Sequence, residues 1–198
     1  MVRMMAALLI FLSYLVGSLS AAIIVCRLIG APDPRTVGSG NPGATNVLRV
    51  AGKKAAAATL IGDSVKGLLP VLVGRALDLE PGALAAIALA AFLGHLYPVF
   101  FQFEGGKGVA TFIGALLGLA WPLGLAFIVV WLLVAKASKY SSLAALTAAA
   151  LMPFFAWMTA HPSVYVATIL VMVVLLFWRH RANIRKLIDG TEARIGSK

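Results

Sequence analysis

Long apolar runs follow one another along almost the whole chain, and they constrain the fold more than any other feature. The chain is 61% hydrophobic and only 12% charged, whereas soluble domains are roughly half apolar and a quarter charged. A helix that crosses a bilayer needs about 20 apolar residues. We therefore predict an all-α integral membrane protein with one domain over residues 1–198, built from apolar windows at 4–29, 55–77, 82–103, 109–120, 122–135, 141–160 and 162–178.

The block 109–135 decides the number of spans, because it fits either one tilted helix or two short helices that meet at Trp121-Pro122. Basic loop residues accumulate on the cytoplasmic side of a membrane. With two passes and the N-terminus outside, only Arg3 and Arg75 lie outside, Lys66 lies within a span, and every other Lys and Arg is cytoplasmic. This pattern predicts seven transmembrane helices with the N-terminus outside and the C-terminus cytoplasmic.

The net charge of +10 would suggest nucleic-acid binding in a soluble protein. Here the basic residues lie between and after apolar runs, so membrane orientation explains them better, and attraction of anionic substrates is a compatible second use. We expect no nucleic-acid partner. The first window continues through Ile29, which is too long for a cleaved signal core, so we expect a retained span. Cys26 stands alone within that window, and no Cys/His cluster has metal-ligand spacing.

A polar island, Gly38–Asn46, reads GSGNPGATN and directly follows the first apolar window. Glycines allow close backbone approach to a ligand, and N–H groups in such a loop can converge on an anion. The island also satisfies G-x-G-x-x-G, but a dinucleotide site requires a preceding strand. We interpret it as a phosphate or carbonyl site with Arg35 or Arg49 as counter-ion; the alternative is a capped loop before a short helix.

A second island, Glu104–Gly108, reads EGGKG before another apolar run. It is not a Walker A loop, because Val109 occupies the Ser/Thr position. Free N–H groups at a helix start, the helix dipole and the charge of Lys107 nevertheless form an anion site. The alternative is a tight turn with a snorkelling lysine.

A third polar segment, 179–198, carries His180 and Asn183 on one helix face. The predicted topology places it on the same side as 31–54 and 103–108, as a shared active site would require. His95 fits a hydrogen-bonded packing residue or a functional one. Asp63 and Lys66 have the spacing of an ion pair, and a structural or a substrate role remains open for both.

No histidine starts an H-x-x-x-x-D motif, and no G-x-S-x-G serine elbow occurs. Three stretches resemble, in order, the motifs of the bacterial acyl-phosphate:glycerol-3-phosphate acyltransferase (PlsY) family: GSGNPGATN, GHLYPVFFQFEGGKGVAT and RHRANIRKLIDGTE. The resemblance implies a membrane enzyme that transfers an acyl group from acyl phosphate to the 1-hydroxyl of glycerol 3-phosphate. The products are lysophosphatidic acid and inorganic phosphate, in the first acylation of phospholipid synthesis.

The resemblance further implies no cofactor or metal, location in the bacterial inner membrane among membrane lipids, and an active site on the cytoplasmic face. It assigns catalysis to Ser39, Lys107, His180 and Asn183, and leaves a structural role for Glu192. Substrate and phosphate binding is implied for Asn41, Thr45, Asn46, Arg49, His95, Gly105, Gly106 and Gly108.

An activated acyl donor lets an enzyme depend on positioning and charge stabilisation without a covalent nucleophile. We therefore expect direct attack by the 1-hydroxyl, with either His180 or a substrate phosphate oxygen taking the proton. Two other classes fit parts of the sequence. A transporter of a phosphorylated solute would use Asp63, Lys66 and His95 near the membrane midplane. A purely structural membrane protein would leave the glycine-rich islands unexplained.

Overall fold

The structure is a computed structural model that describes residues 2–196, and all its regular elements are helical. Lys198, one of the basic residues used for the topology, lies outside the described residues. The helices within residues 2–196 are α1 Val2–Gly17, α2 Ala21–Leu28, α3 Ala44–Ala76, α4 Pro81–Leu96, α5 Val109–Leu119, α6 Trp121–Ser138, α7 Ser141–Met158, α8 Ser163–Arg179 and α9 Arg181–Ile188, with one 3-10 turn at Val99–Phe101. α3 is kinked at Gly52, whose φ of 82° is not helical.

The first apolar window is two helices, not the single continuous helix that we expected. α1 and α2 meet at a bend of 45°. Ser20 caps α2 by accepting a hydrogen bond from the Ile23 amide, and Lys66 Nζ of α3 donates to the Leu19 carbonyl at 2.7 Å. The bend therefore has polar partners inside an otherwise apolar region, as a broken membrane helix requires.

Four helices are long and apolar enough to cross a membrane, and up to six spans result if each bent pair counts as one. The bent pairs are α1 with α2 and α8 with α9. A seventh pass would need the 11-residue α5, which is only about 16 Å long.

The block 109–135 forms two helices, as the charge pattern predicts. Phe112 faces Phe127 with ring centroids 5.6 Å apart, and the backbone of Gly124 lies against Leu117. Rising residue numbers on α5 thus pair with falling numbers on α6, so the helices are antiparallel with a break at Ala120.

The core lies around α4, α5 and α8, where Phe92, Phe112 and Met172 are fully buried. Small residues bring the helices close together. A side chain at Gly94 would meet the Tyr14 backbone, and one at Gly114 would meet the backbone of α3. Close packing of this kind is typical of helices in a membrane, where dispersion contacts replace the hydrophobic effect between helices.

Four polar stretches meet at one end of the helix bundle. The N-terminus of α3 contacts the start of α7 through Thr45 and Ser141, whose hydroxyls lie 3.2 Å apart. The Ile195 amide donates to the Lys139 carbonyl at 2.7 Å, which brings the C-terminal tail to the α6–α7 turn. Together with the glycine loop 104–108, these stretches enclose the candidate site.

Candidate active site

A cavity of about 350 Å³ opens where these polar stretches meet the helices. One end is polar, formed by the first island, the glycine loop, the α7 start and the segment after α8. The other end is apolar. The polar residues lining the cavity are Ser39, Asn41, Thr45, Asn46, Arg49, Asp63, Ser64, His95, Lys107, Ser141, Ser142, His180, Asn183 and Glu192.

The first island is held in shape by Asn46, which is buried in the first turn of α3. Its Nδ2 donates to the Pro34 and Val37 carbonyls, at 2.8 and 3.0 Å, and its Oδ1 accepts from the Ser39 amide at 2.9 Å. A side chain at Gly38, which has a φ of 63°, would collide with the Asn46 amide. Asn46 lines the cavity, but both ends of its side chain are used to hold the loop.

The two arginines weighed as counter-ions have different surroundings. Arg35 makes an ion pair with Asp33 at 2.8 Å and lies 3.6 Å from Glu104, and it is not among the cavity residues. Arg49 lines the cavity one turn after Thr45. α3 begins at Ala44 after Gly43 without a side-chain cap, so the positive end of its dipole faces the same space as Arg49.

The glycine loop lies between α4 and α8. The Gly106 amide donates to the His95 carbonyl at 3.2 Å, and Arg179 donates to the Gly105 and Gly106 carbonyls at 2.6 and 3.1 Å. Gly108 starts α5 with a φ of 92°, a conformation that favours glycine. Gly105 and Gly106 are buried behind the cavity wall, while Lys107 and Gly108 line it.

Lys107 begins a chain of hydrogen bonds across the polar end. Its Nζ donates to Asn183 Oδ1 at 2.5 Å, and Asn183 Nδ2 donates to Glu192 Oε1 at 2.7 Å. Ser142 Oγ donates to the same carboxylate oxygen at 2.6 Å. Burial lowers the pKa of Lys107 to about 8; Glu192 opposes this shift, and the neighbouring cations Lys186, Arg179 and Arg49 add to it.

His180 is buried at the junction between α8 and α9. Its Nδ1 lies 2.8 Å from the Leu176 carbonyl, an oxygen that can only accept, so Nδ1 carries the proton in this contact. In the neutral ring, Nε2 is then the free hydrogen-bond acceptor. His180 and Asn183 both line the cavity, but they do not share a helix face, because His180 lies at the bend before α9 and Asn183 lies within α9.

A second polar group lies deeper among the helices. Lys66 Nζ is 2.7 Å from Asp63 Oδ1, and His95 Nδ1 is 3.6 Å from the same oxygen. All three side chains are buried, and Asp63 and His95 reach the cavity wall. The ion pair anticipated for Asp63 and Lys66 is therefore present, and Lys66 also bonds to the Leu19 carbonyl.

The cavity brings together all the site residues that the resemblance implies except Gly105 and Gly106, which are buried behind its wall. Arg35, the alternative counter-ion, and Lys66 do not line it. Sequence reasoning missed Ser141 and Ser142 and the tie from Arg179 to the loop. The two serines stand at the start of an apolar window, a position where serine is common at the beginning of a helix. Within residues 2–196, no group of three or more His, Cys, Asp or Glu residues is arranged to hold a metal ion.

The apolar end of the cavity is formed by α3, α5, α6 and α7. Leu60 and Leu132 lie on its wall and are 46% and 55% exposed. This end of the cavity is therefore open, with apolar side chains at its mouth. The remaining apolar wall residues are Val109, Ala110, Ile113, Ile128, Trp131 and Ala145.

Comparison with known proteins agrees with this architecture. The family model described as glycerol-3-phosphate acyltransferase matches residues 7–190. The chain belongs to the glycerol-3-phosphate acyltransferase family. The family member from Thioalkalivibrio sulfidiphilus is 56% identical over 195 residues, with 98% of this chain and 96% of the relative covered. The member from Methylococcus capsulatus is 54% identical, with 96% of each chain covered.

Two crystal structures of PlsY (YgiH), an integral membrane glycerol 3-phosphate acyltransferase, have the same fold. The glycerol 3-phosphate form gives a TM-score of 0.92 at 38% identity, over 96% of each chain. The lysophosphatidic acid form gives a TM-score of 0.90 at 37% identity, over 96% of this chain and 95% of that one. The chain is therefore a membrane protein of the glycerol-3-phosphate acyltransferase family, whose activity serves phospholipid synthesis.

Proposed function

We propose that this protein transfers an acyl group from acyl phosphate to the 1-hydroxyl of sn-glycerol 3-phosphate. One observation carries the proposal: a single cavity joins a cationic, N–H-rich end to an open apolar end. An acyl phosphate has these two chemical parts. Glycerol 3-phosphate supplies the second anion, as expected for a polar end with both Lys107 and Arg49.

In the proposed reaction the acyl chain lies along Ile113, Trp131 and Leu132, with its carbonyl where the apolar and polar ends meet. The 1-hydroxyl oxygen attacks the acyl carbon, the bond from that carbon to the phosphate oxygen breaks, and inorganic phosphate leaves. The hydroxyl proton passes to a substrate phosphate oxygen. Positioning and charge stabilisation suffice, because the leaving phosphate makes the donor reactive.

Lys107, with Asn183 holding its ammonium group, neutralises substrate phosphate. Arg49, Thr45 and the free N–H groups at the start of α3 form a second anion-binding side. Ser39 and Asn41 donate to the acyl phosphate, and the Asn46 side chain fixes the loop that presents them. On the opposite wall, the loop formed by Gly105, Gly106 and Gly108 presents Lys107 to glycerol 3-phosphate, and His95 supports this loop.

His180 Nε2 accepts from the 2-hydroxyl of glycerol 3-phosphate and so positions the neighbouring 1-hydroxyl, whose proton passes to the substrate phosphate as the base. This role follows from its contacts, since Nδ1 bonds to a main-chain carbonyl and not to a carboxylate that would stabilise the imidazolium. Within residues 2–196, no acidic group makes an ion pair or hydrogen bond with the His180 ring.

We also propose seven spans, with the N-terminus outside and the active site on the cytoplasmic face of the inner membrane. α5 and α6 each cross once in this topology, and the polar end of the cavity lies on the positively charged side. The short α5 requires local thinning of the bilayer or loops that dip inward.

Purified protein in lipid tests the donor. With glycerol 3-phosphate and palmitoyl phosphate we expect release of inorganic phosphate and formation of lysophosphatidic acid. Turnover with palmitoyl-CoA in place of palmitoyl phosphate would overturn the proposed donor while keeping the family activity.

His180→Ala tests the base. A general base contributes about 100- to 10,000-fold to a rate. We therefore expect kcat to fall by less than about tenfold if His180 only orients the hydroxyl. A larger loss, with glycerol 3-phosphate KM unchanged, would identify His180 as the base.

Cysteine labelling tests the topology. Ser138→Cys, at the end of α6, should react with an impermeant maleimide only after the cytoplasmic face is opened. Asp78→Cys, in the exposed α3–α4 turn, should react from outside. The native Cys26 is buried and gives the background. Labelling of Ser138→Cys in intact cells would contradict the two passes of α5 and α6.

A further inference from the structure

Arg179 ends α8 and reaches the glycine loop with its guanidinium group. Its Nη2 donates to the Gly105 carbonyl at 2.6 Å and its Nε donates to the Gly106 carbonyl at 3.1 Å. The same group lies over the Tyr97 ring, 5.6 Å from the centroid. Arg179 does not line the cavity, so it contacts the loop from behind.

The geometry of a peptide plane links this contact to the direction of the Lys107 N–H. In a trans peptide the C=O and the N–H of one plane point in opposite directions, and the residues described contain no cis peptide. Because the Gly106 carbonyl points to Arg179, the Lys107 N–H in the same plane points away from it. Lys107 and Gly108 line the cavity, whereas Arg179 does not.

The loop is also fixed by contacts with α4. The Gly106 N–H bonds to the His95 carbonyl, and a side chain at Gly105 or Gly106 would collide with His95 or Leu96. The loop is therefore held between α4 and a two-carbonyl contact from α8. A planar guanidinium can serve two carbonyls at once, whereas a lysine ammonium is a point charge with no such fork.

We propose that Arg179 is a positioning residue for the phosphate of glycerol 3-phosphate. By holding both glycine carbonyls behind the loop, it keeps the Lys107 N–H and side chain directed into the cavity. The inference rests on the proposed function, in which this loop binds glycerol 3-phosphate. It assigns Arg179 a role beyond membrane orientation, the role that its place in a basic segment suggests.

Arg181 provides a matched control two residues away. It is exposed, its guanidinium lies 4.9 Å from the Trp178 ring centroid, and its Nη1 donates to the Trp178 carbonyl. Arg179→Lys and Arg181→Lys both keep the net charge and the basic segment. Only the first removes a guanidinium from the loop.

The experiment measures KM for glycerol 3-phosphate and for the acyl donor separately in both variants, with thermal unfolding in detergent as a fold check. For Arg179→Lys we expect the glycerol 3-phosphate KM to rise about tenfold or more, the size of a lost charge-assisted contact. The acyl-donor KM should change by less than about twofold, and Arg181→Lys should match the wild type in both, because the loop is untouched. Arg179→Gln, which keeps an amide donor, replaces Arg179→Lys if the latter does not fold.

Chemical rescue separates positioning from general stability. In Arg179→Ala, added methylguanidinium should lower the raised glycerol 3-phosphate KM, whereas methylammonium at equal concentration should not. An equal rise in both KM values, an unchanged glycerol 3-phosphate KM, or a fall in unfolding temperature alone would overturn the proposal. If acyl phosphate proves not to be the donor, the same KM comparison is made with the donor that works, so the two failures remain distinct.

Discussion

Two polar clusters each contain a lysine and a carboxylate, but the lysine has different partners in each. The cavity network consists of Lys107, Asn183, Glu192 and Ser142, and the helix charge cluster consists of Asp63, Lys66 and His95. Lys107 donates to one neutral amide at the edge of an open cavity. Lys66 bonds to a carboxylate and a main-chain carbonyl, and is only 6% exposed.

The difference lies in what remains available to a ligand. An ammonium group has three donors and a full charge. Lys107 has no carboxylate in direct contact among the ion pairs of residues 2–196, so its charge can bind a phosphate. Lys66 uses its charge on Asp63 and uses a further donor to hold the α1–α2 break. Whether a cation in this protein can bind a ligand therefore depends on its partners, and the residue type alone does not determine it.

Removing the anion of the helix charge cluster should have the largest effect. Asp63→Asn leaves the Lys66 charge buried without its carboxylate, which costs about 3–5 kcal/mol in the free energy of unfolding. Thermal unfolding in detergent should show a large fall in the transition temperature. The double variant Asp63→Leu with Lys66→Met should recover most of this stability, since neutral side chains need no partner. A single variant as stable as the wild type would remove the distinction between the two clusters.

Removing the cation of the cavity network should impair the reaction more than the fold. For Lys107→Ala we expect kcat/KM for glycerol 3-phosphate to fall about 100- to 1000-fold, the usual range for loss of a group that stabilises developing charge. The transition temperature should change little, because Lys107 has a single protein partner. Lys186→Ala, an exposed cation on α9, is the control and should stay within about threefold of wild type.

Several features of the fold and of the candidate site could be predicted from the sequence, because residue spacing and charge pattern determine them. The glycine loop and the proximity of His180 to Asn183 follow from local spacing, and the charge pattern predicted separate α5 and α6 helices. The break at Leu19 was missed, although Ser20 is a good helix N-cap, because the apolar run continues on both sides.

Contacts between residues that are far apart in the sequence could not be predicted from local spacing. Asn46 looks like a ligand-binding amide, but its bonds to Pro34 and Val37 depend on the path of the intervening loop. Arg179 looks like a membrane-flanking cation, and its loop contact depends on where α8 ends relative to α4. Ser142 reaches Glu192 only because the C-terminal tail folds back against the α6–α7 turn.

The pH dependence tests the Lys107 side of the comparison with a moderate effect. Burial lowers its pKa from 10.5 to about 8, so the charged fraction falls as pH rises through this value. The glycerol 3-phosphate dianion is already formed above its second pKa of about 6. We therefore expect kcat/KM for glycerol 3-phosphate to be highest below pH 8 and to fall about tenfold by pH 9.

Lys107→Arg supplies the control for this profile. Arginine stays charged across the range, so the alkaline fall should disappear even if the absolute rate is lower. The acyl donor is kept saturating, and its spontaneous hydrolysis is subtracted at each pH. The same alkaline fall in Lys107→Arg would assign the titration to another group.

The smallest effect should come from Arg35, the arginine whose charge is already used. It pairs with Asp33 at 2.8 Å and lies outside the cavity, and its side chain is 25% exposed. Partly exposed ion pairs of this kind contribute about 0–1 kcal/mol. We expect Arg35→Ala to change the KM of either substrate by less than about fivefold. Arg49→Ala removes a cavity cation that makes no ion pair within residues 2–196, and it should raise a substrate KM by about tenfold or more. Kinetics that reversed this order would show that facing the cavity does not decide which cation binds substrate, and the rule drawn from Lys107 and Lys66 would fail with it.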